Sequence, residues 1–155
     1  MNITERKRFI SHDCSQDKEF KHCTILAQSW SKIITSLKCS NRLYQLEIDF
    51  SKGFFKGDKL QVGCIGISDL HDVFWPMIFI ICESENQINS VCLLHTAFEI
   101  FDQCGISNVR YLLKDGGTAI QSGYEIIKEK RADFRSSRCM AHMFRAGFTR
   151  GGGYQ

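Results

Sequence analysis

The chain lacks a long hydrophobic run. Its longest apolar stretch, Val73 to Cys82, falls well short of the about 20 residues a membrane-spanning helix needs. Behind Met1 stands Asn-Ile-Thr-Glu-Arg-Lys-Arg, with no apolar signal-peptide core. The expectation is a soluble, intracellular protein with no membrane partner. Proline occurs once, at Pro76, and no internal repeat or low-complexity linker divides the sequence. The eight cysteines are scattered singly rather than set in the close framework of small secreted domains, so reduced thiols are expected, some of them serving as small buried apolar residues.

What is present suits one globular unit. At 155 residues and 17.8 kDa the chain can enclose one hydrophobic core, and 43% hydrophobic with 24% charged residues argues against disorder and against a fibre. The net charge of +3 is unevenly spread: residues 1–40 carry +3, residues 41–127 carry −5 and residues 128–155 carry +5. Acids gathered in a core with bases on the flanks would suit an enzyme that holds divalent cations and touches phosphates. Chance clustering on a solvated surface gives the same numbers.

Hydrophobic periodicity orders the elements. Ile25 to Leu37 repeats apolar residues at helical spacing, which predicts a short helix within an N-terminal extension, residues 1–40. Leu43 to Phe50 alternates with period two and predicts a strand. A turn follows over Ser51 to Asp58, then a second strand over Lys59 to Ile67 and a third over Phe74 to Cys82. Because proline has no N–H for a ladder, the third strand should lie on a sheet edge or begin at Pro76. Asn86 can cap a helix running to Cys104-Gly105, Val109 to Leu113 reads as a fourth strand ending at Asp115, and Thr118 to Lys130 as a second helix. The order implies an α/β fold with a mixed sheet: a three-stranded antiparallel meander, then a crossover that sets the fourth strand parallel to the first, with flanking helices. Ribonuclease-H-like folds begin this way.

In that architecture Asp49, near the end of the first strand, and Asp115, at the end of the fourth, come together although 66 residues separate them. Paired carboxylates are the hard ligands that Mg²⁺ or Mn²⁺ prefers, and such ions support in-line displacement at phosphorus. The alternative is structural: Asp115 caps a turn with Gly116-Gly117, and Asp49 merely ends a strand. Cys139 and His142 stand at i and i+3 of a predicted helix. Two ligands do not make a tetrahedral zinc site, and the remaining group, His12, Cys14, His22 and Cys23, is irregularly spaced and distant, so zinc is not expected.

Four segments in order, spanning residues 43–146, carry a resemblance to the Mutator-like element (MULE) transposases. Leu46-Glu-Ile-Asp-Phe-Ser-Lys-Gly-Phe-Phe resembles the family's strand ending in Asp-Gly-Thr-Phe, with Asp49 as the first acid and Phe50 and Ser51 in place of Gly and Thr. Trp75-Pro-Met-Ile-Phe-Ile-Ile-Cys-Glu-Ser-Glu-Asn resembles its third strand and following link. Leu112-Leu-Lys-Asp-Gly-Gly-Thr-Ala-Ile resembles the second acidic motif, with Asp115 in that role, and Cys139-Met-Ala-His142-Met-Phe-Arg resembles the family's Cys-x-x-His signature.

The resemblance implies a partial ribonuclease-H-like, DDE-type transposase domain over residues 41–146, followed by a flexible Gly-rich tail at 147–155. It implies Asp49 and Asp115 as catalytic and metal-binding residues, Mg²⁺ or Mn²⁺ as cofactor, transposon-end DNA as partner and a nuclear location. Lys128, Lys130, Arg131, Arg135, Arg138 and Arg145 form the basic stretch that would touch DNA. The family's third acid lies beyond the Cys-x-x-His helix, whereas no Asp or Glu occurs between Met143 and Gln155. The expectation is therefore a truncated copy, incomplete at its C-terminus and inactive or nearly so. The outer edge of its fourth strand would be left unpaired, inviting self-association. The alternatives are a non-catalytic DNA- or protein-binding relic and a structural module related in fold alone.

Overall fold

The computed structural model describes residues 20–25 (backbone only), 34–39, 44–52, 60–68 and 73–140. The elements are β1 (Phe20–Ile25), β2 (Tyr44–Lys52), β3 (Gln61–Ser68), β4 (Phe74–Cys82), α1 (Gln87–Cys104), β5 (Val109–Lys114), α2 (Thr118–Lys130) and β6 (Arg135–Arg138), with residues 34–39 also helical. The strands form one six-stranded sheet in the order β1-β4-β3-β2-β5-β6. β2, β3 and β4 pair as an antiparallel meander, and β5 lies parallel to β2 on its other side. The expected α/β class and mixed sheet with flanking helices are thus present.

Alternation decides which face of the sheet is buried. In β2, Leu46 and Ile48 are 0% and 3% exposed and join Ile65, Ile67, Ile78 and Ile80 in one core with α1 and α2, while Glu47 and Asp49 project to the opposite face. Each large apolar side chain so buried contributes roughly 1.5–3 kcal/mol. As expected, Asn86 caps α1: its side chain accepts the Asn89 N–H at 2.8 Å, and the helix ends at Gly105 in a left-handed conformation, φ 68. Asn108 fastens the short helical segment to the sheet, because its Nδ2 donates to Leu37 O at 3.0 Å while its own carbonyl accepts from Tyr44 N at 2.9 Å.

Three expectations need correction. The helix predicted over Ile25 to Leu37 begins later, since Ile25 closes β1 and only residues 34–39 are helical within the described part, with Ile34 and Leu37 buried in the core. The third strand is not an edge along its whole length: β1 pairs outside β4 from Ile78 to Cys82. Pro76 lies before that paired stretch, opposite Gly66 where the β3–β4 register shifts, so its missing N–H removes no bond on the β1 side.

The outer edge of the fourth strand is also covered. β6 pairs parallel with β5, Tyr111 opposite Arg135 through Lys114 opposite Arg138. Its anchor is Phe134, 1% exposed, which meets Phe98 edge-on at 4.9 Å and Tyr124 at 5.5 Å, while the Tyr124 hydroxyl donates to its carbonyl at 3.2 Å. The sequence Arg-Ser-Ser-Arg has no apolar alternation, so the strand is set by the ring before it.

Phe134→Ala is accordingly expected to lower the unfolding free energy by about 3–5 kcal/mol. In hydrogen exchange it should strip protection from residues 135–138. A loss under about 1 kcal/mol in urea unfolding would show that β6 does not depend on this ring.

Candidate functional site

The parallel pairing of β2 with β5 is what assembles the carboxylates. Ile48 lies opposite Lys114, so Asp49 and Asp115, each the next residue, come forward on neighbouring strands. Both border one cavity of about 310 Å³, whose wall also includes Glu47, Ser51, Val62, Cys64, Phe74, Phe79, Leu113 and Cys139. It lies on the sheet face that α1 and α2 leave open, because β2 turns Glu47 and Asp49 there and Asp49 faces Cys64 across the β2–β3 ladder. Its lining combines apolar residues, among them Val62, Phe74, Phe79 and Leu113, with the acids Glu47, Asp49 and Asp115.

Asp115 has a structural task as well. Its Oδ1 accepts the Gly117 N–H at 2.8 Å, the turn-capping role that the residues themselves suggested. Gly117 precedes α2 and carries no side-chain cap, for a spatial reason. A Cβ there would stand 2.7 Å from Glu85 Oε1 and 2.9 Å from Asp115 Oδ1, so only glycine leaves these two carboxylates side by side.

Glu85 is the residue that sequence reasoning missed. It sits in the polar link between β4 and α1, half-buried. Its carboxyl is pushed above the usual range first by burial, next by the negative charge of Asp115 and then by that of Asp49, with Lys52 opposing. Glu85 lies in the segment that resembles the family's third strand and following link, but no acidic role attaches to it there. The available signal was topological: the link after β4 leads into α1, whose crossover returns the chain to β5, so link and β5 end share one side of the sheet.

Two further groups are tuned by burial. The Cys64 thiol is pushed up to about 12, chiefly by desolvation and secondly by Asp49, and stays a neutral thiol at physiological pH. Lys114 is 4% exposed, and its ammonium is held below the usual lysine value by burial and then by Arg138, against the pull of Asp115 and Glu125.

Of the remaining candidates, Cys139 reaches the cavity wall, with its N–H donating to Lys114 O at 2.8 Å; His142 and Arg145 lie outside the described residues. Arg131, Lys128 and Arg135 surround one aromatic cluster, Phe98, Phe134 and Tyr124. Arg131 stacks over Phe98 at 4.1 Å and pairs with Asp102, Lys128 sits 5.6 Å from the Tyr124 ring, and Arg135 donates to the carbonyls of Ala132 and Phe134. Lys130 and Arg131 border a separate groove of about 340 Å³ between α1 and α2 with His95, Glu99 and Asp102, whereas Arg138 ends β6 opposite Lys114.

Among the described residues no three His, Cys, Asp or Glu side chains converge on a single point. The arrangement is a close pair, Glu85 and Asp115, flanked by Asp49. No described helix is long and apolar enough to cross a membrane. No family model matches the chain, and no characterised protein is detectably similar to it in sequence.

The raised carboxyl of Glu85 carries a pH signature. An acid whose folded-state value exceeds its unfolded one favours its neutral form in the native protein. Native stability therefore falls as pH rises from the unfolded value through the raised one, and recovers on acidification. Glu85→Gln should raise the thermal midpoint at about pH 7 and leave it unchanged at about pH 3, where wild-type Glu85 is already protonated. Equal shifts at both pH values would mean that the effect is packing and not charge.

Proposed function

We propose that the chain is part of a ribonuclease-H-like, DDE-type polynucleotidyl transferase of the Mutator-like kind, with a carboxylate site for Mg²⁺ or Mn²⁺ that acts on DNA. The observation that carries this reading is the pair of acids brought forward on adjacent parallel strands, Asp49 on β2 and Asp115 after β5, at one cavity. The succession β4-β3-β2-β5-β6, a meander followed by two parallel strands each reached through a helix, supports the fold assignment. The order of the four resembling segments supports the family.

The donor set suits a hard divalent cation. Carboxylate oxygens are its preferred ligands, and Glu85, raised first by burial and then by the negative charges of Asp115 and Asp49, stands where a bound cation would relieve the charge part of that rise. Asp115 and Asp49 would hold the ion, with Glu85 beside Asp115 as a neighbouring acid and not as a third ligand. When bound, such an ion polarises a phosphodiester and activates the attacking hydroxyl or water. The protein's own contributions are positional: the Gly117 N–H orients the Asp115 carboxylate, and β3 backs Asp49. With Asp49 flanking rather than closing the pair, activity is expected to be weak.

A second reading, a non-catalytic DNA- or protein-binding relic, is favoured by the engagement of Asp115 Oδ1 with the turn. Titration with Mn²⁺ by calorimetry and nicking of supercoiled plasmid separate the two. The first reading expects a binding heat that disappears in Asp49→Asn and Asp115→Asn, together with slow Mn²⁺-dependent nicking that both substitutions abolish. Plasmid binding without metal heat or nicking, unaltered by either substitution, would leave the relic.

A further inference from the structure

We propose that the cavity beside the carboxylates receives a single unpaired nucleobase, so that the strand presented to the site is single-stranded DNA and not an intact duplex. The inference rests on the reading of the site as one that acts on DNA. A volume of about 310 Å³ is near the lower bound of ~300–1,000 Å³ for small-ligand sites and has room for one flat ring system, not a base pair with its backbone. The lining is more apolar than polar and includes Val62, Phe74, Phe79 and Leu113, surfaces that suit a base better than a phosphate or sugar.

Phe74 is fixed in a manner that a merely exposed apolar residue is not. Ring atoms Cε2 and Cζ lie 2.5 Å from the point where a Cβ on Gly66 would be, and the Trp75 carbonyl lies 2.4 Å from it, so the ring is seated on the β3 backbone in space that only glycine leaves open. The register shift opposite Pro76 occurs at the same place. Phe74 nevertheless keeps 41% of its surface exposed while bordering the cavity. A ring backed by strand and open to a cavity is a stacking platform, and such platforms accept bases regardless of sequence.

Charge complements this arrangement. Exposed Lys52 ends β2 three residues past Asp49, and exposed Arg138 ends β6 opposite Lys114, so cations stand at the ends of strands next to the acids and can meet a phosphate backbone there. A base in the cavity would bring its own phosphate toward Asp49 and Asp115.

The test uses the full 155-residue chain and fluorescence anisotropy with a labelled 12-nucleotide single strand, the same strand with abasic sites, and its duplex, in Ca²⁺. The intact strand should bind roughly tenfold or more tighter than the abasic one, in line with base–aromatic stacking, and tighter than the duplex. Phe74→Ala should reduce the intact strand to the abasic level without altering the abasic affinity, and Phe74→Tyr should restore the difference. Equal binding of intact and abasic strands, preference for duplex, equal loss on both strands in Phe74→Ala, or no strand binding at all would overturn the proposal. Plasmid nicking by the same preparation reports separately on the carboxylate site: nicking without base dependence keeps the DNA-processing reading and rejects the base pocket, and base dependence without nicking does the reverse.

Discussion

The parallel pairing of β2 with β5 is the constraint on which the rest of the molecule depends. Two parallel neighbours cannot be joined by a tight turn, so the chain must leave the sheet after β4, run along α1 and return. That detour places α1 on the core face and delivers residue 115 beside residue 49. It also leaves the link carrying Glu85 on the side of the sheet where β5 ends. Core, crossover and acidic cluster therefore follow from a single topological choice.

The energetics of the two sheet faces differ accordingly. The face under the helices is closed by aliphatic side chains at nearly zero exposure, and it supplies most of the stabilisation. The opposite face combines apolar positions with a cluster of acids in which burial first, and the like charges of Asp115 and Asp49 next, raise Glu85. Keeping repelling carboxylates together costs stability, and natural proteins retain such costs mainly where a site needs them. A separate groove of mixed charge between α1 and α2 is built differently, because its Arg131 is occupied by Phe98 and Asp102 and serves to clamp the helices.

Much of the fold was legible because its elements announce themselves locally. β2 shows strict alternation from Tyr44 to Phe50, Asn86 and Gly105 bracket α1, and the glycines after Asp115 mark the passage into α2. What escaped was held by distant partners. β6 is polar and is placed by Phe134 against Phe98 and Tyr124, and β1 is recruited by the outer side of β4. Ile25 carried the apolar spacing of a helix, but cross-strand pairing with Ile78 prevailed. Within the site, Asp49 and Asp115 could be read from strand order alone. Strand order brings the link that carries Glu85 to the same end of the sheet, but no residue type or spacing singled that acid out, and its closeness to Asp115 shows only in the space beside Gly117.

Cys139 follows directly after β6 and is tied by its backbone to Lys114, so the cavity wall is completed by the shortest of the described strands. Opening energies in proteins are lowest at such short, solvent-facing margins. Fraying of β6 would therefore loosen Cys139 and, with it, one side of the recess that holds Asp49 and Asp115.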